Sequence, residues 1–181
     1  MTRMLLFVLG VLAVSTTALA QAPADLERAL AAAPRQLREG ATIIKWKPDF
    51  TYDTLKKGTN RLVCYDRSGE PGEQAFAVQC TSIGNLERVA QNRRFEAETD
   101  RAKRQAALDA AEKDGTRVKP EFGSVFYSLD GPDQATARLH TTIAVPGATA
   151  KSLGIPDNAK EGGAWIMNAG TTTAHIMTPG H

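Results

Sequence analysis

The stretch from Gly58 to Cys80, GTNRLVCYDRSGEPGEQAFAVQC, holds both cysteines of the chain, Cys64 and Cys80. An apolar run leads into each: Leu62-Val63 before Cys64, and Ala75-Phe76-Ala77-Val78 before Cys80. Short apolar runs bounded by turn residues read as strands. Gly58-Thr59-Asn60 is a turn ahead of the first run, because Gly and Asn tolerate positive φ. Ser68-Gly69-Glu70-Pro71-Gly72 is a turn or loop between the two. The stretch therefore predicts two neighbouring or nearby strands, with Cys64 and Cys80 available to tie them.

Whether the cysteines form a bridge or a reactive pair depends on compartment. Arg3 supplies a positive start, Leu5–Val14 an apolar core, and Ala18-Leu19-Ala20 a small-residue cleavage site. That layout predicts a secretory signal peptide over residues 1–20 and a single domain over residues 21–181. The apolar core is well short of the ~20 residues a membrane span needs. Gln21, not a cysteine, directly follows the cleavage site, and no later apolar run is long enough to span. The expected product is exported, periplasmic or extracellular, with no membrane insertion after signal cleavage. Outside the cytosol an even cysteine count favours a disulfide. Closing a loop of this size is worth ~3 kcal/mol on the chain-entropy model. A redox-active or metal-binding pair would use the closer Cys-x-x-Cys spacing.

The whole chain carries 22 Lys and Arg against 20 Asp and Glu, for a net charge of +2. Arg3 falls in the leader, so the remainder is closer to neutrality. A balance of that kind provides no overall field for nucleic acid or an anionic membrane surface. A composition rich in Ala and Arg and only 6% aromatic fits a bacterial origin.

Upstream of the cysteine stretch, Leu26, Leu30, Ala33 and Leu37 recur on one helical face. Asp25 is the expected N-cap, Pro34 breaks or kinks the helix, and Gly40 ends it. Ala41–Trp46 reads as a strand stopped by Pro48, and Asp49–Leu55 as a second strand or an extended loop. Downstream, Thr81–Asp114 is Ala-rich with mixed charge. Pairs such as Asp100–Arg104 and Asp109–Lys113 lie at helical spacing and add a few tenths of a kcal/mol each. This is one long charged helix, either a solvated face or a partner-binding surface. Ser124–Leu129 and Ala135–Val145 then predict a hairpin around Asp130-Gly131-Pro132-Asp133. On its second strand Arg138, His140, Thr142 and Ala144 share one face. Residues 164–169 and 174–178 form a terminal strand pair. The resulting fold class is α+β: an antiparallel, twisted sheet of about six or seven strands, with helices on one side and one disulfide.

GTNRLVC, a second cysteine downstream and Ala174-His175-Ile176-Met177 near the C-terminus resemble a group of exported bacterial proteins of no established activity. Members begin with a signal peptide and a short Ala-rich helix, then a GTN turn leading into a cysteine strand, and end in a His-Ile-Met strand. Where that group reads NGWTC, this chain reads NRLVC. The resemblance implies an architecture and no mechanism.

There is no phosphate loop, G-x-G-x-x-G, H-E-x-x-H or G-x-S-x-G. Two places could still carry chemistry. Met167 and Met177 are the only methionines after the leader, and both fall in the terminal strand pair with Trp165 and His175. His175 and Met177 share a strand face, as do Trp165 and Met167. On a common face these thioethers and the imidazole would suit Cu(I). The alternative is that Trp165, Met167 and Met177 fill core and His175 is satisfied by backbone. His140, beside Arg138, could bind an anion or serve as acid or base, or be plainly solvated.

Three functions stay open. The first is a non-enzymatic domain binding a small ligand or an envelope protein, with His175, Trp165 and His140 as candidate ligand contacts. The second is copper binding by His175, Met177 and Met167. The third is a small hydrolase-type enzyme with a His-containing pocket.

Overall fold

The computed structural model describes residues 24–178. The expected signal peptide over residues 1–20 and the terminal His181 lie outside the described residues. Helical residues 24–29 (α1) lead through a turn to Pro34 and the short α2 (Arg35–Arg38). Pro34 stands at the N-cap of α2 with φ −54° and ψ 137°, so it does break the helix. Asp25 lies inside α1 rather than capping it, because residue 24 is already helical.

Eight strands follow: β1 (Thr42–Trp46), β2 (Tyr52–Lys56), β3 (Leu62–Asp66), β4 (Phe76–Ser82), β5 (Val125–Gly131), β6 (Arg138–Ala144), β7 (Trp165–Met167) and β8 (His175–Met177). They form one sheet in the order β2-β1-β3-β4-β5-β6-β8-β7. The α+β class holds, with eight strands because residues 52–56 pair as a strand. One pair is parallel, β1 with β3; the other neighbours are antiparallel.

The GTN turn makes that parallel pair possible. After β2 the chain crosses the start of β1. Thr59 N and Asn60 N donate to Gly40 O at 2.8 and 3.0 Å. Gly58 N donates to Thr42 Oγ1 at 3.1 Å, and Asn60 Nδ2 reaches Leu37 O at 2.8 Å. A Cβ on Gly58 would sit 2.2 Å from Gly40 O and 2.5 Å from the Ala41 carbonyl carbon. Only a residue without a side chain allows this backbone crossing. Cys64 and Cys80 stand directly opposite each other on β3 and β4 and are bridged, with Cα atoms 4.1 Å apart.

The helices cover both faces of this half, not one. On the first face, Ala29, Leu30 and Ala33 pack with Ile43, Cys64, Phe76, Val78 and Cys80. On the second, α3 (Leu86–Glu96) places Leu86, Val89 and Ala90 against Ile44, Trp46, Val63 and Tyr65. Consecutive strand residues point to opposite faces, so these two clusters lie on opposite sides of one sheet. The charged segment divides, with α4 (Arg101–Lys113) starting where Asp100 accepts bonds from Ala102 N and Lys103 N. An ionic cluster fastens the β3–β4 loop to α3. Arg67 meets Glu70, Glu73 and Glu96, and Arg93 meets Glu70.

A third cluster, Val145, Ala148, Ile166 and Ala174 with Ile155 and Ile176 against it, anchors the C-terminal end together with α5 (Ala150–Leu153).

Candidate functional site

The second face continues past α3 over β5, β6 and β8, and there it opens. Register places Phe126 opposite Thr142, Ser128 opposite His140, and Ala144 opposite His175. A groove of about 180 Å³ runs between this sheet surface and α3, lined by Gln79, Asn92, Phe126, Ser128, Thr142 and His175 among others. It adjoins a wider depression that shares Arg88, Asn92 and Thr173 and extends to Arg117 and Phe95.

Each wall is fixed by a polar chain. On the sheet side, the Tyr65 hydroxyl donates to Gln79 Oε1 at 2.6 Å, and Gln79 Nε2 donates to Ser128 Oγ at 2.8 Å. Burial pushes the Tyr65 phenol far up, so it remains a neutral donor. At the start of α3, fully buried Asn85 donates to Thr81 Oγ1 and Ser124 Oγ and accepts from Glu121 N. That junction holds residues 121–124 beside the helix. Ser124 Oγ in turn donates to Glu121 O at 2.6 Å.

The opposite wall carries Arg88, and the adjoining depression adds Arg117. Arg88 and Arg117 are only 4% and 7% exposed. Arg88 donates to Val118 O at 2.5 Å, Thr172 Oγ1 at 3.2 Å and Thr173 Oγ1 at 2.9 Å. Arg117 donates to Gln91 Oε1 at 2.7 Å and Asn92 Oδ1 at 2.6 Å, and its guanidinium lies over the Phe95 ring. All five acceptors are neutral. The ion pairs found among the described residues include neither arginine. Burial, and then the charge of Arg117, lower Arg88 to about 10, while Glu112 opposes them. Arg117 is lowered chiefly by burial. Both stay cationic at neutral pH.

Glu112, on α4, is the acidic neighbour. It accepts from Thr172 N and Thr172 Oγ1, both at 2.6 Å. Burial raises its carboxyl, but the Thr172 bonds and the charges of Arg88 and Arg117 outweigh that and hold it below the ordinary carboxylate value. The junction thus gathers two buried guanidinium charges near Glu112, with Glu96 also acting on Arg117.

Thr173 joins this wall to His175. Its hydroxyl accepts from Arg88, and its carbonyl lies 2.7 Å from His175 Nδ1. A carbonyl only accepts, so Nδ1 carries the hydrogen of this contact and Nε2 is the ring nitrogen it leaves over.

His175, Met177, Met167 and Trp165 share one sheet face, as the sequence made conditional on register. Met167 pairs with His175 and Trp165 with Met177. His140 is on that face too, but it is four residues along β6 from Ala144, the partner of His175, or ~13 Å at strand rise. His140 is exposed and borders a separate open depression with Asp130 and Arg138. The two histidines therefore do not form one site.

Arg88, Asn92 and Arg117 escape a motif search. Their signal is the spacing of Arg88, Asn92 and Phe95, which fall at i, i+4 and i+7 on one face of α3. Mixed charge on the same helix hid it.

Comparison with protein families, with curated proteins and with solved structures finds no match to this chain. Among the described residues no helix is long and apolar enough to cross a membrane. Nor do three or more His, Cys, Asp or Glu side chains converge as a metal site among them.

Proposed function

We propose that the protein is an exported bacterial domain that binds a small anion, of the carboxylate or phosphate class, in the groove between α3 and β5–β6–β8. The observation that carries this reading is the pair of buried arginines, Arg88 and Arg117, whose direct hydrogen-bond acceptors are all neutral, with the carboxylates of Glu112 and Glu96 nearby but outside ion-pair contact with them. Burying charge without a direct ion pair is costly, and an anion at Arg88 adds to what the more distant carboxylates offset. Arg is suited to the task, since its planar fork matches both carboxylate and phosphate. Asn92, Ser128 and Thr142 add neutral polar contacts at the wall, and Phe126 an apolar one. The groove is smaller than the ~300 Å³ lower bound of drug-sized sites, which favours a compact ligand.

Export and bacterial origin rest on the leader layout and on the resemblance carried by Gly58-Thr59-Asn60, Cys64 and the His175-Ile176-Met177 strand. The bridged cysteines agree with an oxidising compartment.

The test is a thermal-unfolding series with inorganic phosphate and with acetate. The wild type should gain stability with anion concentration, as expected when ligand binds only the folded state. Arg88→Met should abolish the gain. A wild type indifferent to both anions at ~10 mM, tenfold above a millimolar Kd, contradicts the reading.

A further inference from the structure

The terminal strand pair carries two thioethers, Met167 and Met177, that do not line the anion groove, beside His175, which does. Packing does not account for them. The cluster beneath β7 and β8 is built from Ile166, Ile176, Val145, Ala148 and Ala174, on the first face of the sheet. Met167, His175, Met177 and Trp165 stand on the other face. Met167 is 41% exposed, and the remaining three are half-buried.

Their spacing is that of a chelate. His175 and Met167 are a direct cross-strand pair, which brings Cβ atoms to within ~5.5 Å. Met177 is two residues along the strand from His175, on the same side, ~7 Å away at strand rise. Flexible thioether side chains span such distances readily. The Thr173 carbonyl holds the Nδ1 hydrogen of His175 at 2.7 Å, which fixes the tautomer and leaves Nε2 as the free nitrogen. Ligand histidines are commonly oriented in this way by a partner on the second ring nitrogen.

The donor set also selects the ion. Among the described residues there is no free cysteine, because Cys64 and Cys80 are bridged. Among the described residues no group of three or more His, Cys, Asp or Glu side chains forms around His175 as a site for a harder divalent ion. Two thioethers and one imidazole suit a soft monovalent d10 ion. Trp165, opposite Met177, adds an aromatic ring beside the position of the charge. We infer that Met167, His175 and Met177 form a binding site for Cu(I), open to solvent on the β7–β8 face.

This site stands independently of the anion groove, although His175 borders both. The test is isothermal titration of the protein with Ag(I), in chloride-free buffer. Ag(I) shares the ligand preference of Cu(I) and needs no reductant, so the disulfide stays closed. The wild type should take up one Ag(I), and the double variant Met167→Leu, Met177→Leu should bind at least ~10-fold more weakly, as should His175→Ala. Leu conserves size at exposed Met167 and half-buried Met177, and circular dichroism checks that the fold is kept. In the same double variant the response to phosphate should be unchanged, whereas Arg88→Met should lose the phosphate response and keep Ag(I). Absence of one-to-one Ag(I) uptake by the wild type overturns the site. So does uptake that the methionine substitutions leave intact, or Zn(II) binding of equal strength.

Discussion

The two ends of the sheet are built differently. β1, β3 and β4 are enclosed between α1 on one face and α3 on the other. Their residues are buried almost continuously, with Ile43, Val63, Cys64, Tyr65 and Cys80 at 2% exposure or less. β5, β6, β7 and β8 are only bordered by α3 on the second face, across the groove, and their residues are mostly half-buried or exposed. The enclosed half has the disulfide and the GTN crossing. The open half has the groove, the buried arginines' neighbours Thr172 and Thr173, and the His–Met face. Rigidity and chemistry are thus divided along one sheet.

Substitutions can break that division in graded fashion. The largest effect is expected at Gly58, where a Cβ meets backbone atoms that cannot rotate away. Gly58→Ala should leave the chain unfolded or cost more than ~4 kcal/mol in urea denaturation, the range of diagnostic, strained substitutions. Next comes the bridge: Cys64→Ala with Cys80→Ala should cost ~3 kcal/mol. Arg88→Met should cost about 1–3 kcal/mol, the penalty for leaving buried acceptors such as Val118 O without donors. It should also remove the anion response, which the cysteine variant retains. At the small end, Met167→Leu on the exposed face should change stability by less than ~0.5 kcal/mol.

The halves should also separate by pH. The Glu112 carboxyl is held below its ordinary value, so its bonds to Thr172 contribute stability that is present above the ordinary carboxylate range. That contribution is lost as pH falls through the lowered folded value. Glu112→Gln should therefore narrow the stability difference between neutral and acid pH in urea titrations. An unchanged difference would show that the 171–173 loop is not held by this carboxylate.

Much of the enclosed half was legible in the sequence. Leu62-Val63-Cys64 and Phe76-Ala77-Val78 are continuous apolar runs, and strands covered on both faces read that way. That same continuity argues for helices on both sides, which a one-sided arrangement overlooks. The parallel β1–β3 pair was not legible, because it depends on where the chain crosses after β2. Gly58 announces the turn but not its direction. In the open half, alternation along β6 and β8 placed His175 and Met177 correctly on one face. The groove was hidden for a different reason. Arg88 and Arg117 are far apart in sequence, and their burial arises only when residues 116–118 and 171–173 fold back onto α3. A mixed-charge helix looks solvated until those segments cover one of its faces.

The most direct test of the division is an amide NMR titration of the wild-type protein with inorganic phosphate. Shifts should concentrate at Arg88, Asn92, Arg117, Thr173 and His175, and leave Cys64–Cys80 and the Gly58 turn unmoved. Shifts centred instead on Arg138 and His140, or none at ~10 mM phosphate, tenfold above a millimolar Kd, would contradict the placement of the site in the open half beneath α3.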